Sequence, residues 1–126
     1  MFSHVMLGAD DIDAAKTFYD AALGALGVSP GRPDPKGRVF YMHNGGMFIL
    51  TKPINGEPAS CANGGTLGFA AATPEAADAF HAAGLAHGGT ACEDPPGVRE
   101  GAGMRLYLAY LRDPTGNKIC AMHRLP

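Results

Sequence analysis

The chain has 126 residues, and its 12 acidic and 10 basic side chains give a formal net charge of −2. That length provides one domain, and a hydrophobic content of 46% with a mean hydropathy of −0.03 is typical of a globular protein rather than a disordered one. No apolar run reaches the roughly 18 residues of a membrane span, and the near-neutral charge argues against a nucleic-acid groove. We therefore expect neither a membrane nor a nucleic acid as a partner.

A strand and a helix open the chain. The segment His4–Ala9 predicts a short strand, and Asp10 or Asp11 can cap the helix that follows. Gly24 and Gly27 provide the signal that ends this helix. Its apolar face recurs with a period of 3.6 residues and comprises Ile12, Ala15, Tyr19, Ala22, Leu23 and Leu26.

A hairpin follows in the first half of the chain. Arg38–His43 and Met47–Lys52 read as two strands on either side of Asn44-Gly45-Gly46, where positive φ angles are easily adopted. The Pro/Gly-rich stretch Pro30–Gly37 predicts a surface loop before the hairpin, and Pro53–Gly65 predicts a linker after it.

The second half repeats this order of elements. Thr66–Ala72 predicts a strand, and Thr73-Pro74-Glu75 supplies an N-cap, a proline in the first turn and an acidic side chain for the helix dipole. The helix ends at Gly88-Gly89, and its predicted apolar face comprises Ala76, Phe80, Ala83 and His87.

A second hairpin closes the chain. Asp94–Gly103 predicts a surface loop, and Arg105–Arg112 and Lys118–His123 read as strands joined by a turn over Asp113–Asn117.

The two halves are related by a shift of 62 residues. This shift lays Ser3–Gly27 over Gly65–Gly89 and matches Phe18 with Phe80, Leu23 with Leu85 and Gly27 with Gly89. The sequence therefore predicts an α+β fold of two tandem β-α-β-β-β modules, about 1–52 and 66–126, joined by a linker at 53–65. A ferredoxin-like β-α-β-β-α-β sandwich would also explain two helices, but it leaves two extended segments unused.

Cysteine usage and the N-terminus bear on the compartment. Cys61, Cys92 and Cys120 are an odd number without a CxxC pair, which predicts neither a disulfide framework nor a zinc ribbon. Acidic residues from Asp10 onward interrupt any signal-peptide hydrophobic region. We expect a cytoplasmic protein.

Three motifs together resemble the vicinal oxygen chelate superfamily, the group of glyoxalases, bleomycin-resistance proteins and extradiol dioxygenases. They are the opening His4–Asp11 with Phe18-Tyr19 and Leu23–Gly27, the segment Phe69-Ala70-Ala71, and the closing Asp113–Ile119. The resemblance covers essentially the whole chain. It implies two curved sheets around a cleft, a homodimer, and a divalent metal (Zn²⁺, Ni²⁺, Mn²⁺ or Fe²⁺) that acts as a Lewis acid on substrate oxygens.

The family's metal ligands come from the first and last strand of each module. By resemblance these positions fall on His4, Ile49, Thr66 and Cys120 in this sequence. Ile49 cannot coordinate a metal, Thr66 is a weak ligand and no carboxylate is present, whereas open catalytic sites for hard ions use carboxylate oxygens. His4 and Cys120 are a candidate pair for a soft metal but fall short of the usual three protein ligands, so we expect no cofactor. Their simpler roles are a hydrogen-bonded histidine and a packed thiol.

Strand alternation predicts the lining of the cleft. If Cys120 points inward, Met122 does too, and the hairpin sets Tyr110 opposite Cys120 and Leu108 opposite Met122. The predicted lining is apolar and rich in methionine: His4, Phe40, Met42, Met47, Ile49, Thr66, Leu108, Tyr110, Cys120 and Met122. Such a surface suits an adaptable site for a small molecule, although the same side chains can simply fill a core.

The sequence is compatible with three functions. The first is a protein that binds a small apolar or aromatic molecule with a degraded metal site, either for sequestration or for chemistry without a metal. The second is a metal-dependent lyase or ring-cleaving dioxygenase that recruits further ligands beside His4 and Cys120. The third is a structural or regulatory protein with a filled cleft. Arg99 and Arg105 are candidates for an anionic ligand, with a solvated surface as the simpler interpretation.

Overall fold

The computed structural model describes residues 1–126 and contains two helices and nine strands in two sheets. In chain order the elements are β1 (Val5–Gly8), α1 (Ile12–Gly24), β2 (Arg32–Pro33), β3 (Val39–His43), β4 (Gly46–Thr51), β5 (Leu67–Ala70), α2 (Pro74–Ala86), β6 (Thr90–Ala91), β7 (Gly97–Gly101), β8 (Met104–Arg112) and β9 (Lys118–Arg124).

The first sheet contains all strands of the first half, in the order β1-β4-β3-β2. β1 runs parallel to β4, and β4 forms a hairpin with β3. Asn44 and Gly45 turn the hairpin with φ angles of 47° and 80°, as a two-residue turn matched to the strand twist requires. Gly46 already belongs to β4, so the turn is one residue shorter than the sequence suggested.

The second sheet has the order β5-β9-β8-β6 and carries an additional strand, β7, on β8. The prediction of a loop over Asp94–Gly103 is therefore wrong for its central residues, Gly97–Gly101. β6 pairs only with Leu111 and Arg112 at one end of the nine-residue β8. The rest of that edge has free hydrogen-bonding groups, which β7 satisfies.

Both helices begin at the predicted caps. The side chain of Asp11 accepts a hydrogen bond from the amide of Ala14, and that of Thr73 accepts one from the amide of Ala76. Neither helix is long and apolar enough to cross a membrane.

The two helices differ in how well their buried faces were predicted. α1 buries Ala15, Phe18, Tyr19, Ala22 and Leu23, close to the predicted face. α2 buries Ala77, Phe80 and Gly84 instead of Ala76 and Ala83, and His87 is exposed. Alanine occupies so many positions of α2 that its sequence gives little contrast between faces.

One hydrophobic core joins the two halves. It contains buried residues of both helices and both sheets, and the rings of Phe48 and Phe69 meet edge to face across the boundary at 5.4 Å. A buried hydrogen bond from the hydroxyl of Tyr19 to Asp113 (2.6 Å) also crosses it. The side chain of Asn117 adds a bond to the carbonyl of Gly8 (3.0 Å). These contacts fix the position of one sheet relative to the other.

Candidate functional site

Each sheet has one face against the helices and one face turned away from them, which we call the outer face. Phe48 and Leu50 of β4 belong to the shared core, so the residues between and beside them point to the outer face. Ile49, Leu108 and Cys120 are buried, with 4%, 7% and 6% of their surface exposed, yet none of them belongs to the core. They form the floor of the outer faces.

The strand register places the rest of the predicted lining around this floor. Tyr110 lies opposite Cys120 and Leu108 opposite Met122, as the second hairpin predicted. In the first sheet Phe40 pairs with Ile49 and Met42 pairs with Met47. Three methionines of these faces are exposed to solvent: Met6 at 41%, Met42 at 65% and Met122 at 40%.

The four positions that the resemblance assigns to metal ligands form two pairs. Met6 lies beside Ile49, and His4 comes two residues earlier, just before β1 begins. Gly68 lies beside Cys120, and Thr66 comes two residues earlier, just before β5 begins. His4 is exposed and its ring shares a hydrogen bond with Ser3 (2.9 Å). No hydrogen bond or ion pair joins the two pairs.

The donor set does not fit a metal centre. Within the chain no group of three or more His, Cys, Asp and Glu side chains lies close enough together to hold an ion. The pair of His4 and Cys120 has no third protein ligand from the same chain, and a structural or catalytic zinc needs at least three. The residues at these positions are therefore unsuited to hold a catalytic metal.

A charged cluster lies beside the floor of the second sheet. The ammonium of Lys118 forms an ion pair with Glu93 and lies 5.0 Å from the ring centroid of Tyr110. Burial raises the pKa of the Cys120 thiol to about 11, and the nearby Lys118 ammonium only partly opposes this. The thiol is thus protonated at neutral pH, which makes it a poor nucleophile.

The structure also contains an apolar cavity that sequence reasoning missed. It has a volume of about 340 Å³ and lies on the helix side, between the end of α1, the first sheet and β5. Leu23, Leu26, Tyr41 and Phe69 line it, and Met47 is the one residue of the predicted lining at its border. A smaller cavity of about 230 Å³ lies where β1 meets the start of β5, and Thr66 borders it. Both depend on how the modules pack together, which leaves no local signal in the sequence.

Comparisons with known proteins agree with the architecture. Residues 1–121 match the model of the Glyoxalase/Bleomycin resistance protein/Dioxygenase superfamily. A glyoxalase/bleomycin resistance protein from Albidiferax ferrireducens T118 is 62% identical, with a TM-score of 0.95 over 98% of this chain and 99% of that one. No functionally curated protein matches the chain.

More distant structures share the fold. A glyoxalase/bleomycin resistance protein/dioxygenase family enzyme from Burkholderia phytofirmans PsJN is 21% identical, with a TM-score of 0.73 and 98% of both chains covered. A virulence protein from Salmonella typhimurium is 24% identical, with a TM-score of 0.68 over 99% of this chain and 97% of that one. The family model and the 62% identical structure together show that the chain belongs to the glyoxalase/bleomycin resistance protein/dioxygenase superfamily.

Proposed function

We propose that this protein binds a small apolar or aromatic molecule on the outer faces of its sheets without the help of a metal. One observation carries the proposal: the apolar residues Ile49, Leu108 and Cys120 are buried outside the shared core cluster, beside exposed methionines on the same faces. Exposed apolar patches of soluble proteins commonly mark binding sites. Methionine side chains are flexible and polarisable, so they adapt to ligands of varied shape.

The residues favour binding over chemistry. The family's ligand positions hold Ile49 and Thr66 where a metal needs strong donors, and the protonated Cys120 is a poor nucleophile. Sequestration of a ligand needs apolar surface rather than reactive groups, and these faces supply apolar surface.

We further propose that two copies of the chain form a homodimer whose outer faces enclose the ligand between them. Met6, Met42 and Met122 would leave water on association, which stabilises a dimer in proportion to the apolar area buried. Light scattering at micromolar concentration, measured as the protein elutes from a size-exclusion column, is expected to give a molar mass twice the 13.0 kDa of one chain. A mass of one chain would overturn the dimer but not the ligand site.

The ligand site is tested with 2-naphthamide, a neutral aromatic probe, in buffer containing EDTA. The chain has no tryptophan, so the fluorescence of the probe reports binding without that background. Met122→Asp places a charge on the outer face and is expected to weaken binding at least tenfold. Leu85→Asp makes the same change at a comparably exposed position of α2 (44%) and should leave binding unchanged.

Two results would contradict the proposal. The first is a stoichiometric metal in the purified protein that His4→Ala removes together with probe binding. The second is probe binding that survives Met122→Asp but is lost in Val28→Phe, which fills the cavity on the helix side.

A further inference from the structure

Arg99 has a fixed position over the outer face of the second sheet. Arg99 lies two residues after Gly97 in β7, so both residues are on the same face of the sheet. Gly97 lies opposite Leu108 of β8, which belongs to the outer face. Its guanidinium bends back along β7, and Nη2 donates to the backbone carbonyls of Asp94 (2.9 Å) and Pro95 (3.0 Å). Nη1 lies 3.4 Å from where a Cβ at Gly97 would stand, which places the guanidinium directly beside the Gly97 backbone.

Unlike its neighbours, Arg99 has no carboxylate partner. Arg105, on the adjacent strand, lies 3.5 Å from Glu100, and Lys118 is paired with Glu93. Arg99 forms no ion pair, and its hydrogen bonds to carbonyls leave its charge uncompensated. Nη1 and Nε therefore remain free to donate to an anion, in a plane that matches a carboxylate.

Tyr110 adds a second donor on the same face of the sheet. Its side chain is half-buried on the same face, and its hydroxyl has no hydrogen-bond partner in the chain. Burial raises the pKa of Tyr110 above its ordinary value. The hydroxyl stays protonated and can donate.

We infer that Arg99 anchors the carboxylate of an aromatic carboxylic acid whose apolar part lies on the outer face. This inference rests on the proposed function and narrows its ligand to one chemical class. The carboxylate accepts hydrogen bonds from the Arg99 guanidinium and from the Tyr110 hydroxyl, and the aromatic ring packs on Met122 above Leu108. A carboxylate held in this way needs no metal, because the arginine supplies the positive charge.

The test compares 2-naphthoate with its neutral counterpart 2-naphthamide, using Arg99→Gln and the matched control Arg105→Gln. We expect the wild-type protein to bind naphthoate at least tenfold more tightly than naphthamide, because hydrogen bonds to a charged group are stronger than hydrogen bonds between neutral groups. Arg99→Gln should abolish that preference by weakening naphthoate binding far more than naphthamide binding. Arg105→Gln removes the same charge from the opposite face and should keep the preference, and Arg99→Lys should restore only part of it.

The outcomes separate this inference from the proposed function. If the wild-type protein binds both probes equally, or if both glutamine variants lose the preference to the same extent, Arg99 is not the anchor although the site exists. If neither probe binds the wild-type protein, the proposed ligand site is wrong and the anchor fails with it. Circular dichroism of each variant confirms that the fold is retained.

Discussion

Replacing Tyr19 with phenylalanine tests the hydrogen bond that ties the two modules together. The Tyr19 hydroxyl donates to the buried carboxylate of Asp113 at 2.6 Å, and the two residues are 94 positions apart in the chain. The ring itself packs edge to face on Phe18 and against Phe48, with centroids 4.8 and 4.9 Å away, and phenylalanine retains both contacts. The substitution therefore isolates the hydroxyl.

The expected cost follows from the environment of the carboxylate. A hydrogen bond to a charged group contributes about 1.5–3 kcal/mol to stability. In the variant, Asp113 Oδ2 keeps a single donor, the side chain of Asn117, and little water can reach it because Asp113 is only 4% exposed. We expect the free energy of unfolding in urea to fall by about 2 kcal/mol with an unchanged m-value.

Tyr41→Phe is the matched control. The Tyr41 hydroxyl donates to Asp20 at 2.8 Å, but the Asp20 side chain is 27% exposed and also accepts from Lys16 and Gly31. Water can replace this bond, so we expect a loss of about 0.5–1 kcal/mol. Equal losses in the two variants, or a loss under 0.5 kcal/mol for Tyr19→Phe, would refute the role assigned to the link between modules.

Three further outcomes are expected. Gly84→Ala should lower the free energy of unfolding by about 1–2 kcal/mol, because the new Cβ would lie 2.4 Å from Cδ1 of Leu111. At Gly24 a Cβ meets nothing within 4 Å, so Gly24→Ala should stabilise the protein by about 0.5 kcal/mol. Equal effects of the two substitutions in urea unfolding would contradict this. Burial acts to raise the pKa of Asp20, but bonds from Lys16, Gly31 and Tyr41 outweigh it and lower the pKa. The stability that the ionised Asp20 contributes is thus present above an ordinary carboxyl pKa and is lost as the pH falls through the lowered pKa of the folded protein. Asp20→Asn should therefore reduce the free energy of unfolding more at pH 7 than at pH 2. An equal loss at the two pH values would oppose this. Iodoacetamide at pH 7.5 should label the exposed Cys61 well before Cys120, as mass spectrometry of the peptides would show, and comparable rates would mean that Cys120 is accessible and ionised.

The sequence predicts the outer faces well because strand alternation and turn length are local properties. Once Cys120 is assigned to a face and the turn over Asp113–Asn117 is recognised, the positions of Tyr110, Leu108 and Met122 follow from the register. The cap at Asp11 is equally local, since one side chain and one amide three residues on determine it.

The features that the sequence misses depend on distant partners. The segment Gly97–Gly101 has no alternation of apolar residues, and it forms a strand because the longer β8 offers it an edge. The cavity beside Leu26 and Phe69 exists only once the modules are packed. Arg99 and Arg105 look alike in the sequence, and only the register shows that one lies over the outer face without a carboxylate partner while the other pairs with Glu100.

The most direct test of the ligand site uses the methyl groups of the six methionines as NMR probes. The protein, labelled with ¹³C at these methyls, is titrated with 2-naphthamide in EDTA. Binding on the outer faces predicts saturable shifts of Met6, Met42 and Met122, with the exposed terminal Met1 unchanged. Unchanged signals of Met6, Met42 and Met122 at a naphthamide concentration that saturates its fluorescence, or shifts that appear only after Zn²⁺ is added, would contradict a ligand site on the outer faces that works without a metal.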